Sequence, residues 1–445
     1  MFRAVLIVIL LSVGAVGQRF DALEKAITDE LAATGTPGAA IAVIEGDRVT
    51  YAKGFGLTSV EGGSAVTAET LFRIGSTTKM FTAAAFAQLA AAGKTKFDAP
   101  MSTYVSSLPP RVAKLTAHQM LSQSSGLRDM PTPVVSDDDG ALALNIAGWK
   151  DDAFFTDPNT IYSYSSANCW LAGLAVEKVH GKPYADAMTE LLFQPLGMKR
   201  SFFRPREAMT YPLALGHNRQ GAQHSVNRPA ANNAAIYPGG SIFSSVNDLS
   251  RWAIAMLNGG KIDGKQAIAA SVVENLTKPQ FYLPGPEKVF YGYGVMGFDV
   301  NGVPTISHGG VSRGYGAYIF FAPQQKAAVI LLTNSNGQTM PKSRNAANAI
   351  LLPASSMQQQ EAVVTADSAE KLLEYVGKYT HAPQAWDVRI KDSKLWVATE
   401  GKEFAMTRTG EDEYSYEQGQ ILFVKDKQGK YRHIFMGLYA ARRVD

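Results

Sequence analysis

The sequence predicts an α/β protein of helices and antiparallel strands, followed by a small all-β domain. Three observations predict it. The spacing Phe20, Leu23, Ile27, Leu31 follows one helical face and stops at Gly35, after which GAAIAVIEGDRVTYAKGFG reads as strand, Gly46-Asp47 turn and strand. The runs VPTISHGG, YGAYIFFAP and AAVILLTNS are strand-like and separated by short turns, so they should pair antiparallel. Near the C-terminus, WDVRIKD, KLWVATEG, ILFVKD and RHIFMG alternate between charged turns.

At 445 residues the chain exceeds what one core usually organises, so a large domain with a smaller companion is expected. Apolar residues make up 46% and charged ones 18%, a globular profile that excludes disorder and a coiled coil. The leader MFRAVLIVILLSVGAVGQ places Arg3 ahead of an apolar run and ends in small residues, the pattern of a cleavable export signal over 1–17. An uncleaved anchor is the rival, but the run is shorter than the roughly 20 residues a span needs. No stable membrane span is therefore expected after cleavage, and the location is periplasmic or secreted. The net charge of +4 falls to +3 without Arg3, and no basic tract points to nucleic acid. Cys169 is the only cysteine, so there is no internal disulfide.

Within the body, residues 76–92 (STTKMFTAAAFAQLAAA) form a nearly all-apolar helix closed by Gly93, which must be buried on most sides. Residues 97–235 are mixed helix and loop. Ser245 caps SVNDLSRWAIAMLNGG, and a further helix is expected near 341–351. The polar, aperiodic stretch 353–368 suits a linker, which divides the chain into a body of 18–352 and a β-rich domain of 369–445.

Ser76-Thr77-Thr78-Lys79 is a Ser-x-x-Lys element, in which positions i and i+3 of a helix share a face so that hydroxyl and amine can meet. Serine is a weak nucleophile until a base takes its proton, and a lysine can do so if burial or nearby positive charge depresses its pKa. The helix start also offers N–H groups to an oxyanion. The pattern alone is weak: Ser368-Ala369-Glu370-Lys371 matches it too, in a setting that reads as an ordinary helix cap.

Context separates the two copies. LFRIGSTTKMFTAAAFAQLAAAGKTKFDAPMSTYV, LTAHQMLSQSSGL, YSYSSANCWLAGLAVEKVHGKPYADAMTELLFQPLGM, PGGSIFSSVNDLSRWAIAMLNGG and ISHGG, in that order over about residues 20–350, resemble the serine β-lactamase-related hydrolases: class C β-lactamases, D-Ala-D-Ala carboxypeptidases and related esterases. The resemblance implies a β-lactamase/transpeptidase-like fold, with a flanked antiparallel sheet, an all-helical lobe and a cleft between them. It makes Ser76 the acylated nucleophile, gives Lys79 and Tyr164 the proton transfers, and assigns the oxyanion to the backbone N–H groups of Ser76 and Val311. A tyrosine with its ordinary pKa of about 10 acts as base only if cations stabilise its phenolate, and Lys79 is placed to do so. The tail from about Lys371 resembles the small β-barrel-like domain often appended to these hydrolases.

Two elements depart from the family. Tyr-x-Asn reads Tyr164-Ser165-Ser166, and a hydroxyl cannot bond a substrate amide as a carboxamide does. Asn168 is near in sequence but is not assumed to substitute. Lys-Thr-Gly reads His308-Gly309-Gly310; an ordinary histidine is only partly charged at neutral pH, and Gly309 has no hydroxyl for a substrate carboxylate. Both changes argue against efficient β-lactam hydrolysis. Ser166, His308, Gly309 and Gly310 remain candidate substrate-binding positions. Arg313 is a candidate for holding a substrate carboxylate, against the alternative of a solvent-facing arginine.

Gly310-Val311-Ser312-Arg313-Gly314 also fits the Gly-x-Ser-x-Gly nucleophile elbow, which needs strand, sharp turn and helix. The following residues alternate like a strand, so the context fails. Gln123-Ser124-Ser125-Gly126 matches a cleft-side loop of the family. The dispersed histidines form no ligand cluster, so neither metal nor cofactor is expected. The reading is therefore a serine hydrolase of D-amino-acid peptides or small esters, with small-molecule or peptide substrates that include peptidoglycan-derived ones. β-Lactam hydrolysis is one alternative, and a non-hydrolytic penicillin-binding or wall-sensing protein is another.

Overall fold

A computed structural model describes residues 3–130, 132, 134–221, 223–230, 232–352 and 366–445, with side chains from Arg19 onward. The side chains of the expected export signal and residues 353–365 of the expected linker lie outside the described residues.

Among the described residues, the five longest helices and one eight-stranded sheet frame the body. The helices are α1 (Arg3–Thr34), α2 (Thr78–Ala91), α3 (Ser166–His180), α4 (Val246–Leu257) and α5 (Pro341–Leu351). The strands are β1 (Gly38–Glu45), β2 (Arg48–Gly56), β3 (Phe281–Tyr282), β4 (Phe290–Tyr291), β5 (Met296–Val300), β6 (Val303–Ser312), β7 (Tyr315–Ala322) and β8 (Ala327–Thr333). They form one antiparallel sheet in the order β2-β1-β8-β7-β6-β5-β4-β3.

The central strands are buried on both faces, which is why their sequences are near-continuous apolar runs. Alternation sorts the side chains. Ile41, Val43, Phe320 and Leu331 pack with Phe20, Leu23 and Ile27 of α1 and Ala347 of α5. Ala42, Ile44, Ile319 and Ile330 join the larger core that includes α2 and α4. Ser245 accepts from the Asp248 N–H at 3.1 Å, the cap expected at the start of α4.

α2 is buried from Thr78 through Ala87 and packs against α3, forming the heart of a helix-rich lobe beside the sheet. The helix begins later than expected: Gly75–Thr77 is a tight 3-10 turn, and Ser76 stands on it rather than within the α-helix.

The C-terminal domain opens with a short helix, Ala369–Tyr375, and continues as nine antiparallel strands between Gly377 and Arg443. Its first strand pairs with its last, and the two edge strands, Lys402–Ala405 and Thr407–Gly410, are neighbours in sequence. The sheet is thus a nearly closed barrel around Tyr375, Tyr379, Val397, Phe423 and Ile434. This barrel docks on the body. Its Leu438 carbonyl accepts from the Tyr164 N–H at 2.8 Å, and the Ala440 N–H donates to Ser163 Oγ at 3.1 Å. Phe435 and Ala440 pack with Ile161, Tyr162 and Tyr291.

Candidate active site

The site forms where the turn before α2 meets the end of β6. Two glycines permit that contact. Gly75 has φ +53°, and a Cβ there would lie 2.7 Å from the Val311 backbone; a Cβ on Gly310 would lie 2.0 Å from the Ile74 carbonyl oxygen. Any larger residue would push the turn off the strand. The turn is fixed from behind by the Ile74 N–H on Ile242 O at 3.0 Å and by Thr77 Oγ1 on Ile74 O at 2.6 Å.

Lys79 follows one turn later. Its Nζ lies 3.1 Å from Ser76 Oγ and 2.6 Å from Gly239 O, with the Tyr164 ring centroid at 4.9 Å. The side chain is fully buried, and burial pulls its pKa below 10.5, outweighing the distant charges of Cys169 and Asp129. Nζ donates to both oxygens in this geometry. Tyr164 is hydrogen-bonded to the Ser76 side chain, yet burial drives its pKa well above 10. The sequence reading has Lys79 stabilise a tyrosine phenolate; burial lowers the Lys79 pKa and raises that of Tyr164, which disfavours the phenolate.

β6 supplies the other wall. Its pairing with β5 stops at Met296 opposite Ser307, so His308–Ser312 are paired with β7 alone and have one edge free. His308 is buried; desolvation, with Lys79 nearby, pushes its pKa down to about 4. It is neutral at neutral pH, where the sequence alone suggests partial charge. Its Nδ1 is 2.6 Å from Gly309 O, a pure acceptor, so Nδ1 carries the proton and Nε2 accepts from the Tyr291 hydroxyl at 3.0 Å. Gly309 is exposed and Gly310 buried.

Ser76 and Val311 line two cavities at once. One, of about 330 Å³, is walled by Tyr164, Tyr291, Met296, His308 and, from the barrel, Leu438 and Tyr439. The other, of about 450 Å³, is walled by Arg73, Ser166, Trp170, Ser312 and Arg313. Ser166 thus faces the cleft from the first turn of α3, its N–H donating to Asp129 Oδ1 at 2.8 Å. Asn168 does not take the place of the family's asparagine. It is fully buried, donating to Gln123 Oε1 at 2.6 Å and accepting from Ser125 Oγ at 2.6 Å. The 123–126 loop therefore anchors the start of α3, and Gln123 Oε1 also accepts the Ser165 N–H at 2.8 Å. Ser312 ends a strand that turns into β7, so the elbow geometry is absent.

Sequence reasoning misses Gly239 O, Tyr291 and Tyr439. A backbone acceptor has no side-chain signature, and the tyrosines reach the site through sheet register and domain docking. Among the described residues no group of three or more His, Cys, Asp or Glu side chains could hold a metal, and no helix is long and apolar enough to cross a membrane.

A flanked antiparallel sheet, a helical lobe and a Ser-x-x-Lys turn between them define the class of the β-lactamase-like proteins. The chain belongs to the Beta-lactamase family, whose model matches residues 23–353. It is 28% identical over 338 residues to "Penicillin-binding protein 4" of Amycolatopsis lactamdurans, covering 72% of this chain and 85% of that protein. It is 26% identical over 344 residues to "Unguisins hydrolase ungD" of Aspergillus violaceofuscus, covering 70% of this chain and 60% of the relative. Among solved structures, SurE superposes with TM-score 0.78 at 21% identity over 96% of this chain and 100% of that one. The octameric penicillin-binding protein homologue from Pyrococcus abyssi superposes with TM-score 0.68 at 22% identity, over 94% and 99%.

Proposed function

We propose that the protein is an exported serine hydrolase that forms an acyl-enzyme on Ser76 and acts on D-amino-acid peptides or small esters. The observation that carries this reading is the buried Lys79 amine 3.1 Å from Ser76 Oγ, with pKa depressed by burial. Lys79 takes the serine proton as Oγ attacks a carbonyl, and the backbone N–H groups of Ser76 and Val311 receive the oxyanion. Tyr164 donates its proton to the leaving group and is reprotonated from Lys79. Water then cleaves the ester on Ser76, with the same groups running in reverse. The neutral His308 and bare Gly309 offer little to the carboxylate of a β-lactam, which sets β-lactam hydrolysis second. The name of the Amycolatopsis relative supports a further reading in which β-lactams are captured without turnover. The apolar leader supports export to the periplasm or beyond the cell.

The test is to offer the mature protein a chromogenic small ester, a D-Ala-D-Ala peptide and a chromogenic cephalosporin, beside Ser76→Ala and Ser312→Ala. Ester or peptide turnover lost only in Ser76→Ala is the expected result. Activity that survives in Ser76→Ala and disappears in Ser312→Ala overturns the assignment, and stable cephalosporin labelling without turnover of anything selects the binding protein.

A further inference from the structure

The two cavities that meet at Ser76 differ in charge. The lining of the smaller one holds no Lys, Arg, Asp or Glu, and its histidine is neutral at neutral pH. The lining of the larger one holds two arginines, Arg73 and Arg313, and no acid. The same two arginines, with Ala230 and Asn232, also line a third cavity of about 570 Å³. A groove thus leads outward from Ser76 past both guanidinium groups.

Arg73 is the unusual member of the pair. It is only 6% exposed, and among the described residues it forms no ion pair. Its Nη2 donates to Asn232 Oδ1 at 3.0 Å, and its guanidinium stacks over the Phe243 ring at 4.4 Å. A guanidinium has five N–H donors, and one neutral acceptor leaves most of them without a protein hydrogen-bond partner. Asp137, on the wall of the third cavity, attracts Arg73 without an ion-pair contact and is itself held by the Asn232 amide. Arg313 is exposed, and no side-chain partner occupies it among the described residues. Buried charges are ordinarily paired, and a planar fork facing a cavity fits a carboxylate.

We propose that this groove binds the carboxylate of the substrate, with Arg73 as the buried anchor and Arg313 as its exposed partner. The substrate is then an ester or amide that carries its anionic group on the Arg73 side of the reacting carbonyl and an apolar group on the side walled by Tyr164, Tyr291 and Tyr439. This rests on the hydrolase reading and narrows it, since the cation absent from the His308 position is supplied across the cleft.

The test measures binding and turnover separately. Calorimetry on Ser76→Ala protein compares phenyl hydrogen glutarate with its uncharged methyl ester, alone and with Arg73→Met, Arg73→Lys or Arg313→Met added. The monoanion should bind about tenfold more tightly than the diester. Arg73→Met should abolish that preference and Arg73→Lys should keep part of it. Arg313→Met should reduce it about threefold at low salt and by less in high salt, where the exposed guanidinium is already screened. Equal affinity for the two esters overturns the proposal, as does an equal weakening of both by Arg73→Met. If Arg73→Met does not fold, Arg73→Lys, Arg313→Met and the salt dependence still decide it. A preference for the monoanion without turnover in the wild type supports the groove and defeats the hydrolase reading; turnover without preference does the reverse.

Discussion

The chain contains the same four-residue pattern twice, and the two copies have become different things. At Ser76 the lysine side chain is buried, reaches the serine oxygen at 3.1 Å and has its pKa lowered by desolvation. At Ser368 the serine oxygen instead accepts from the Lys371 backbone N–H, capping a short helix. Burial pulls Lys371 down as well, but hydrogen bonds to Tyr431 and Asp412 outweigh it and raise its pKa. In the proposed reading a Ser-x-x-Lys sequence serves as nucleophile and base only where the amine is dry and has no carboxylate in ion-pair contact. Where an aspartate waits, the same amine is a locked cation.

The largest expected effect breaks this comparison directly. Lys79→Met should lower kcat/KM for a small ester by about 10⁴-fold, whereas Lys371→Met should leave it within about twofold. Steady-state kinetics on the two variants checks it, and comparable losses in both would erase the distinction. Tyr164→Phe comes next, with an expected loss of about 10²–10³-fold, because it removes the phenol proposed to protonate the leaving group while its ring remains. An ester with a better leaving group should suffer less, which separates proton donation from packing.

The pH profile sharpens the same contrast. A protonated Lys79 cannot accept the serine proton, so kcat/KM should rise with pH along a limb set by an amine whose pKa lies below 10.5. His308, at about 4, should add no inflection near 6.5. If His308→Gln removes an inflection near that value, the neutral-histidine assignment is wrong. The smallest effect belongs to the second serine: Ser368→Ala should cost about 1 kcal/mol through the lost cap, read by chemical denaturation, with activity unchanged.

Much of this was legible in the residues. The helix before β1, the hairpin and the β6–β8 meander follow from periodicity, and the Ser245 and Ser368 caps from side-chain chemistry. Ser76, Lys79, Tyr164, His308 and Val311 could be located because their motifs lie in order along the chain. What could not be seen depends on three-dimensional approach. Nothing in the sequence says that a Gly239 carbonyl would hold Lys79, or that Asn168 would be tied to Gln123 instead of facing substrate. The protonation states were also hidden, since the depressed pKa values of His308 and Lys79 arise from burial that several distant segments create together. The barrel's part in the cleft is the clearest case, because Leu438 and Tyr439 arrive from beyond the expected linker.

If burial at the first Ser-x-x-Lys, and not the pattern itself, makes the nucleophile, an active-site serine reagent should find Ser76 alone. Reaction of the protein with a fluorophosphonate, followed by peptide mass mapping, separates the two copies. One phosphonyl group on Ser76 is predicted in the wild type, with labelling lost in Lys79→Met and retained in Lys371→Met. Labelling of Ser312 or Ser368, or none on Ser76, would contradict the account.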